Sequence, residues 1–330
     1  MTTAYRRLLA FAAALAFGVV ALGAWVRLSD AGLGCPDWPG CYGQWLGVPD
    51  HAADAGKAWK EMVHRYFAGT LGLCIFGLCL FAWRRRSRVS PVLPTALAAI
   101  VVCQALLGMW TVTLLLKPVI VSAHLLGGMT TLALLIWLNL KEREASAPPA
   151  TAGLRGLGLL ALAAVLLQIA LGGWVSSNYA ALACPDFPAC RGEWLPPMDF
   201  GHAFTFHREL GQTASGALLP AEALTAIHWS HRLGAALVAL AVGGLGLALA
   251  RRPGWRGWGA QLLGLLALQV GLGIANVLLS LPLPLAVAHN AVAALLLSMT
   301  VATNFRLWSG AASPPFRART SQANPSASPA

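Results

Sequence analysis

Eight apolar stretches of about twenty residues constrain the fold of this chain more than any other feature of its sequence. A helix of about twenty residues crosses the hydrocarbon core of a bilayer, and only helices and closed barrels satisfy their backbone hydrogen bonds there. The sequence therefore predicts an all-α integral membrane protein. The predicted spans cover residues 8–28, 61–83, 92–116, 118–140, 154–175, 227–250, 258–281 and 283–305.

Composition and charge agree with a membrane protein. Hydrophobic residues make up 57% of the chain and charged residues 11%, which is less than half of the roughly 25% usual in soluble domains. The net charge of +11 would suit nucleic acid in a soluble protein, but the arginines of membrane proteins concentrate in cytoplasmic loops. Most of the basic residues fall on one side if the N-terminus is inside. We therefore predict cytoplasmic termini, outer cysteine loops and no nucleic-acid partner.

The chain consists of two related halves. The stretch LGCPDWPGCYGQW at 33–45 returns as LACPDFPACRGEW at 182–194, displaced by 149 residues. Further matches lie on both sides of these loops. They are ALGAWV (21–26) with ALGGWV (170–175), EMVHR (61–65) with HWSHR (228–232), QALLGM (104–109) with QVGLGI (269–274), and VSAHLLGGMTTLALL (121–135) with AVAHNAVAALLLSMT (286–300).

Each half contains four spans, so both halves enter and leave the membrane on the same side. This predicts two tandem four-helix bundles, over residues 1–145 and 154–310, related by a pseudo-two-fold axis along the membrane normal. Residues 146–153 are predicted to form a cytoplasmic linker, and the Ser-, Pro- and Ala-rich residues 311–330 a disordered cytoplasmic tail. Because a four-helix bundle commonly holds a cofactor between facing helices, two bundles suggest two cofactor sites.

Four of the eight histidines occupy repeat-related positions: His64 corresponds to His231, and His124 to His289. Ionisable side chains at membrane depth are costly and mark functional sites by default. Two imidazoles on separate helices of one bundle suit six-coordinate haem iron, whereas zinc needs three or four ligands. The sequence therefore predicts iron bound through these four histidines. The alternative is that each histidine only hydrogen-bonds a neighbouring helix.

The two halves differ beside these histidines. Glu61 lies three residues before His64 on the same helix face, and the repeat places His228 at the equivalent position of the second half. An acid beside one site alone predicts chemistry there, with Glu61 as a general base or as a carboxylate that stabilises developing positive charge; the alternative is a solvated or helix-capping glutamate. Arg65 and Arg232 are candidate partners of haem propionates, or else extend to the outer surface.

Paired cysteines mark both outer loops. Cys35 and Cys41 enclose five residues, as do Cys184 and Cys190, and a proline-rich turn can bring each pair within bridging distance. The predicted outer side is oxidising, so disulfides can persist there. We interpret each pair as a structural lid over a bundle mouth; a redox-active pair is the alternative.

The remaining histidines near these loops are less informative. His228 is a rival ligand to His231, but the HR dipeptide shared with the first half favours His231. We interpret His202 and His207, in the longer second outer loop, as surface residues.

The EMVHR segment, the four repeat-related histidines and the paired-cysteine loops resemble the haem A synthase family over nearly the whole chain. The resemblance implies an oxidoreductase acting on a CH group, which oxidises the C8 methyl group of haem O to a formyl group and supplies haem A to terminal oxidases. It also implies eight helices in two bundles, in the bacterial inner membrane, with periplasmic cysteine loops. The disulfides Cys35–Cys41 and Cys184–Cys190 are similar to those of the bacterial type.

The resemblance also implies the contents of the two bundles. His64 and His124 would bind the substrate haem O beside Glu61, and His231 and His289 would bind haem b as a cofactor that passes electrons. Haem O synthase would supply the substrate, and a membrane electron acceptor would take the electrons. The sequence leaves open whether the chain forms a homo-oligomer.

Three other functions use the same features. The chief alternative is a di-haem membrane electron carrier of the cytochrome b type, which needs no acid at one site and therefore leaves the Glu61/His228 difference unexplained. A membrane thiol oxidoreductase would act through the outer cysteines and would not need the histidines. A transporter would need helices broken near the midplane, and the sequence shows no clear break.

Overall fold

The computed structural model describes residues 3–143 and 148–309 of the 330-residue chain. Within these ranges the regular structure is helical, with only isolated β-bridges in the loops. The helices are α1 (Thr3–Leu28), α2 (Ala55–Arg84), α3 (Val92–Thr113), α4 (Pro118–Glu142), α5 (Ala152–Ser177), α6 (Phe200–Ala203), α7 (Ala221–Ala250), α8 (Arg256–Leu278) and α9 (Leu283–Ser309).

All eight predicted spans are confirmed as helices. Every described helix except the four-residue α6 is long and apolar enough to cross a membrane. The predicted tail 311–330 and residues 146–147 of the predicted linker lie outside the described residues, and α5 begins at Ala152, inside the predicted linker. The division into bundles over 1–145 and 154–310 stays a prediction.

Several helix ends differ from the sequence prediction. Helix α2 begins at Ala55 rather than at residue 61, because the Asp54 side chain caps the first turn by accepting from the Lys57 N–H. A hydropathy pattern detects only the apolar part of such a helix. Conversely, α3 ends at Thr113 rather than at 116, because Leu115 and Leu116 both take positive φ and stop the helix despite their apolar side chains.

The long helices pack in two rings of four. In the first ring α1 contacts α2 and α4, and α3 contacts the same two helices; α5, α7, α8 and α9 repeat this pattern. The two rings meet where α1 and α4 pack against α9 and where α4 packs against α5. One apolar core cluster runs through both rings. The pseudo-two-fold axis along the membrane normal and the cytoplasmic side of the termini stay predictions.

Each ring is also joined by one repeat-related polar contact between helices. The Asn139 amide of α4 donates to the Leu9 carbonyl of α1 at 3.0 Å. The Asn304 amide of α9 donates to the Gly158 carbonyl of α5 at 2.9 Å. Hydrogen bonds between membrane helices contribute about 0.6–2 kcal/mol each. Each asparagine therefore joins the last helix of its ring to the first, at corresponding positions of the two halves.

The cysteine loops share one backbone design. The Asp37 carboxylate accepts from the Tyr42 and Gly43 N–H groups at 2.6 and 2.7 Å, and both of those residues have positive φ. In the second loop, the Asp186 carboxylate accepts from the equivalent Arg191 and Gly192 N–H groups at 2.6 and 2.8 Å. The Gly192 N–H lowers the pKa of Asp186, because it stabilises the charged carboxylate. Each turn is thus held by the aspartate that precedes it.

Both loops lie at the same end of the two rings, which we call the loop end. There the Arg27 guanidinium donates to the Ser176 carbonyl at 2.7 Å, and the Tyr179 hydroxyl donates to the Asp30 carboxylate at 3.1 Å. Lys117, which precedes α4, forms an ion pair at 2.8 Å with Glu209 of the longer second loop. The loop end therefore links the first half to the second.

Candidate functional site

The four repeat-related histidines lie on separate helices of the two helix rings. The imidazole of each histidine packs against a glycine of an adjacent helix. A Cβ atom added to any of these glycines would lie 3.0–3.3 Å from an imidazole Cε1 atom, closer than an ordinary carbon–carbon contact of about 3.5–4.0 Å. The pairs are His64 with Gly23 of α1, His124 with Gly108 of α3, His231 with Gly172 of α5, and His289 with Gly273 of α8.

These glycines are themselves related by the repeat. Gly23 and Gly172 are 149 residues apart, and Gly108 and Gly273 are 165 residues apart, the same offsets as in the repeated segments that contain them. Because glycine has no side chain, each imidazole occupies space that the methyl group of an alanine would otherwise fill. The repeat alignment contains this signal, but it gives no role to a glycine until the neighbouring helix is known.

The histidines are paired within each ring. His64 of α2 and His124 of α4 belong to the first ring, and His231 of α7 and His289 of α9 belong to the second. Within residues 3–143 and 148–309, no group of three or more His, Cys, Asp or Glu side chains is arranged to hold a metal ion. Two imidazoles per ring match the axial ligands of haem and are too few for a zinc site.

Buried ring nitrogens support this assignment. The Nδ1 atoms of His64, His124 and His289 are buried and have no hydrogen-bond partner among the described residues. Buried polar atoms without a partner are rare in proteins and call for a ligand, ion or water. Two imidazoles in each ring, three of the four with an unpartnered ring nitrogen, therefore suit one haem per ring.

Three glutamines lie beside three of these histidines. The Gln168 amide nitrogen of α5 is 3.1 Å from Nδ1 of His231 and donates to its backbone carbonyl at 3.0 Å. The Gln269 amide nitrogen of α8 is 3.2 Å from Nε2 of His289. Sequence analysis missed these side chains, although Gln269 lies in a repeated segment.

The third glutamine, Gln104 of α3, packs against Gly127 of α4. A Cβ at Gly127, one turn after His124, would lie 1.7 Å from the Gln104 amide nitrogen. Gly108, one turn after Gln104 on α3, packs on the His124 ring. His64 has no glutamine neighbour of this kind among the described contacts.

Glu61 is buried at the loop end of α2, with 5% of its surface exposed. Its carboxylate accepts from the Cys35 N–H at 2.9 Å and from the Arg65 guanidinium at 2.5 Å. In the second half, Nδ1 of the buried His228 accepts from the Cys184 N–H at 3.4 Å. Glu61 and His228 therefore hold the same place under their cysteine loops, and only the first half has a carboxylate there.

Residues 6–301 match the sequence profile of the COX15-CtaA cytochrome oxidase assembly protein family. The chain is 42% identical over 310 residues to a haem A synthase of Shewanella oneidensis, covering 88% of this chain and 92% of that protein. The chain belongs to the haem A synthase family. A relative from Methylobacterium radiotolerans, also a haem A synthase, is 30% identical over 334 residues, covering 90% of this chain and 88% of the relative.

Both cysteine pairs of this haem A synthase family member are bridged, Cys35 to Cys41 and Cys184 to Cys190. The first bridge is buried against Met62 of α2. The Cys35 backbone N–H that binds Glu61 belongs to this bridge. The loop therefore contacts the acid directly.

The two arginines of the EMVHR and HWSHR segments bind the loops above them. The Arg65 guanidinium donates to the backbone carbonyls of Asp37, at 3.0 Å, and of Gly40. The Arg232 guanidinium donates to the carbonyls of Ala189 and Asp186, both at 2.7 Å. Their assignment to haem propionates stays a prediction, because these contacts join each arginine to its loop.

The other two histidines of the second loop are exposed. His202 contacts Asp199 at 2.6 Å between Nδ1 and a carboxylate oxygen, and the His207 side chain is exposed like that of His202. The His202 N–H groups lower the pKa of Asp199 by stabilising its charged form. The structure thus assigns His202 to the loop surface.

Proposed function

We propose that this protein is a haem A synthase that oxidises the C8 methyl group of haem O to a formyl group. The substrate haem O would bind between His64 and His124 in the first ring, and haem b between His231 and His289 in the second. The observation that carries the proposal is two pairs of glycine-packed histidines, with a buried carboxylate beside one pair alone. The relatives described above, named haem A synthases, support it.

The difference between the rings supports this division of roles. Both donors to Glu61, the Cys35 N–H and the Arg65 guanidinium, stabilise a charged carboxylate at a fixed place. His228 in the second ring is buried and accepts from the Cys184 N–H, and an imidazole supplies no comparable negative charge. Catalysis by a base therefore belongs to the first ring, and electron transfer to the second.

The overall reaction consumes one water molecule and releases four protons and four electrons for each methyl group converted to a formyl group. Glu61 would orient a water molecule beside the reacting methyl group and accept its proton. Haem b, when bound, supplies a one-electron acceptor at the second ring. Because four electrons exceed the capacity of one haem, a membrane electron acceptor must receive them in turn.

The apolar side chains of the two helix rings also suit the substrate. Haem O is an apolar macrocycle whose synthesis precedes this step, so the enzyme that makes it, haem O synthase, is the expected source. The bridged cysteine loops cover the loop end, where Glu61 contacts Cys35. We assign both loops a structural role, because a backbone N–H of each loop holds the side chain beneath it: the Cys35 N–H donates to Glu61, and the Cys184 N–H donates to His228.

A matched pair of variants tests the proposal. Glu61→Gln keeps the shape of the side chain but removes its charge, and Glu222→Gln alters an exposed glutamate at the start of α7. Each variant is produced with a haem O supply, and bound haems are extracted, separated and weighed by mass spectrometry. We expect bound haem O without haem A in the first variant and normal haem A in the second. Normal haem A formation in Glu61→Gln would remove this residue from the mechanism.

The same extraction separates an enzyme from a di-haem electron carrier. An enzyme converts supplied haem O to formyl-bearing haem A, whereas a carrier returns the haem unchanged. Unchanged haem O from the folded, haem-loaded wild-type protein, with an oxidant present, would refute the proposed activity.

A further inference from the structure

We propose that His64 is the releasable ligand through which the first ring exchanges its haem, and that Gln168 is a positioning residue that prevents such release at His231. This inference rests on the proposed function, because it takes the first ring as the substrate site. A substrate must enter and its product must leave, whereas a resident cofactor stays bound. The two rings should therefore differ in how firmly their histidines are held.

The difference begins at Gln168. Its amide lies 3.1 Å from Nδ1 of His231, and its Oε1 atom is buried without a hydrogen-bond partner among the described residues. A histidine that binds a metal through one nitrogen carries its proton on the other, and a partner for that proton fixes the ring. A half-turn of the amide about its Cγ–Cδ bond presents Oε1 to this proton, and it gives up the hydrogen bond from the amide nitrogen to the His231 carbonyl. Gln168 is therefore placed to orient His231.

Glycine at position 234 makes this contact possible. A Cβ at Gly234 would lie 2.2 Å from Oε1 of Gln168, so any larger residue there would displace the amide. Gly234 is one helical turn after His231 on α7. The amide and the glycine together form the support of this histidine.

Both parts of the support are missing beside His64. The repeat offset of 149 places Val19 where α5 has Gln168, and residue 67, one turn after His64, is phenylalanine rather than glycine. Nδ1 of His64 is buried and has no hydrogen-bond partner among the described residues. Two independent sequence differences thus remove the same contact from the substrate ring.

The other histidine of the first ring has a glutamine on the adjacent helix. Gln104 packs on Gly127, one turn after His124, in the way that Gln168 packs on Gly234. In the second ring, Gln269 contacts His289 at 3.2 Å. Among the described residues, His64 is thus the one of the four histidines that has no glutamine beside it. The geometry points to haem exchange by release of His64, with His124 keeping its hold.

Haem transfer to apomyoglobin tests this directly, because it reads binding rather than catalysis. Full-length protein loaded with haem is mixed with excess apomyoglobin, and the transfer is followed by absorbance. We expect a fast phase from the first ring and a slow phase from the second. Gln168→Val should accelerate the slow phase by about 10- to 100-fold, the usual effect of losing an outer-shell partner. Gly234→Ala, which displaces the same amide, should do likewise.

Two further variants complete the test. Gln261→Val, an exposed glutamine of α8, should change neither phase. The double variant Val19→Gln/Phe67→Gly transfers the support to the first ring and should slow the fast phase. An unchanged slow phase in both Gln168→Val and Gly234→Ala would overturn this inference while haem A formation continued. A folded wild-type protein that binds no haem would overturn the proposed function as well.

Discussion

Gly273 offers the sharpest test of whether the imidazoles depend on the glycines against which they pack. A Cβ on Gly273 would lie 3.1 Å from Cε1 of His289 and 3.7 Å from its Nδ1 atom. Carbon atoms in contact are normally about 3.5–4.0 Å apart, so Gly273→Ala requires the ring to retreat by about 0.4 Å or more. A binding site tolerates about 0.5 Å of displacement before it loses its ligand geometry.

The expected magnitude follows from the cost of overpacking. One extra methyl group in a filled site costs about 1–3 kcal/mol, which corresponds to about a 5- to 150-fold loss of affinity. The matched control is Gly271→Ala, two residues away on α8, where an added Cβ meets nothing within 4 Å. Alanine is the better helix former by about 1 kcal/mol, so the control should fold at least as well as the wild type.

Haem titration of the purified protein measures this effect. Gly273→Ala should weaken haem binding at the second ring by the factor above, while Gly271→Ala should bind haem like the wild type. The pyridine haemochrome assay then gives the haem content of each preparation. Wild-type haem affinity in Gly273→Ala, or an equal loss of haem affinity in Gly271→Ala, would refute the conclusion that haem binding needs a glycine against the His289 imidazole.

Three other predictions concern the scaffold. Asn304→Leu removes the hydrogen bond to the Gly158 carbonyl and should lower the stability by about 0.6–2 kcal/mol, measured by thermal unfolding in detergent. Arg65→Lys loses the forked contacts to the first cysteine loop and should increase proteolytic cleavage there, with Lys141→Arg as an exposed control. The lowered pKa of Asp186 means that its carboxylate stabilises the second loop above the ordinary aspartate pKa of about 3.9. This stabilisation is lost as pH falls through the lower folded value, so hydrogen-exchange protection of the loop, corrected for the intrinsic exchange rate, should be constant from about pH 5 to 8.

The helices were predictable because the membrane imposes one length and one composition on every span. Their ends were not, because polar first turns and positive-φ residues such as Leu115 are invisible to a hydropathy pattern. The predicted linker illustrates the same limit: Thr151 accepts from the Leu154 N–H and starts α5 inside it. Local capping thus determines boundaries that apolar periodicity does not reveal.

The repeat predicted which histidines matter, and it did so by comparing the chain with itself. It could not predict their surroundings, because the contacts of Gln168 and Gly172 with His231 join helices far apart in sequence. The Glu61/His228 difference was visible in the sequence, but its bond to the Cys35 N–H required the folded loop. Only the packing of α1 on α2, and of α5 on α7, brings such groups together.

Ligation of iron by the paired histidines is the claim on which everything else depends. Absorption and electron paramagnetic resonance spectra of the purified protein, with each histidine replaced by alanine in turn, test it most directly. Replacing His231 or His289 should abolish one bis-imidazole signal and leave the other, and replacing His64 or His124 should do the reverse. A colourless, iron-free protein from cells that make ample porphyrin, or four unaltered spectra, would contradict the account.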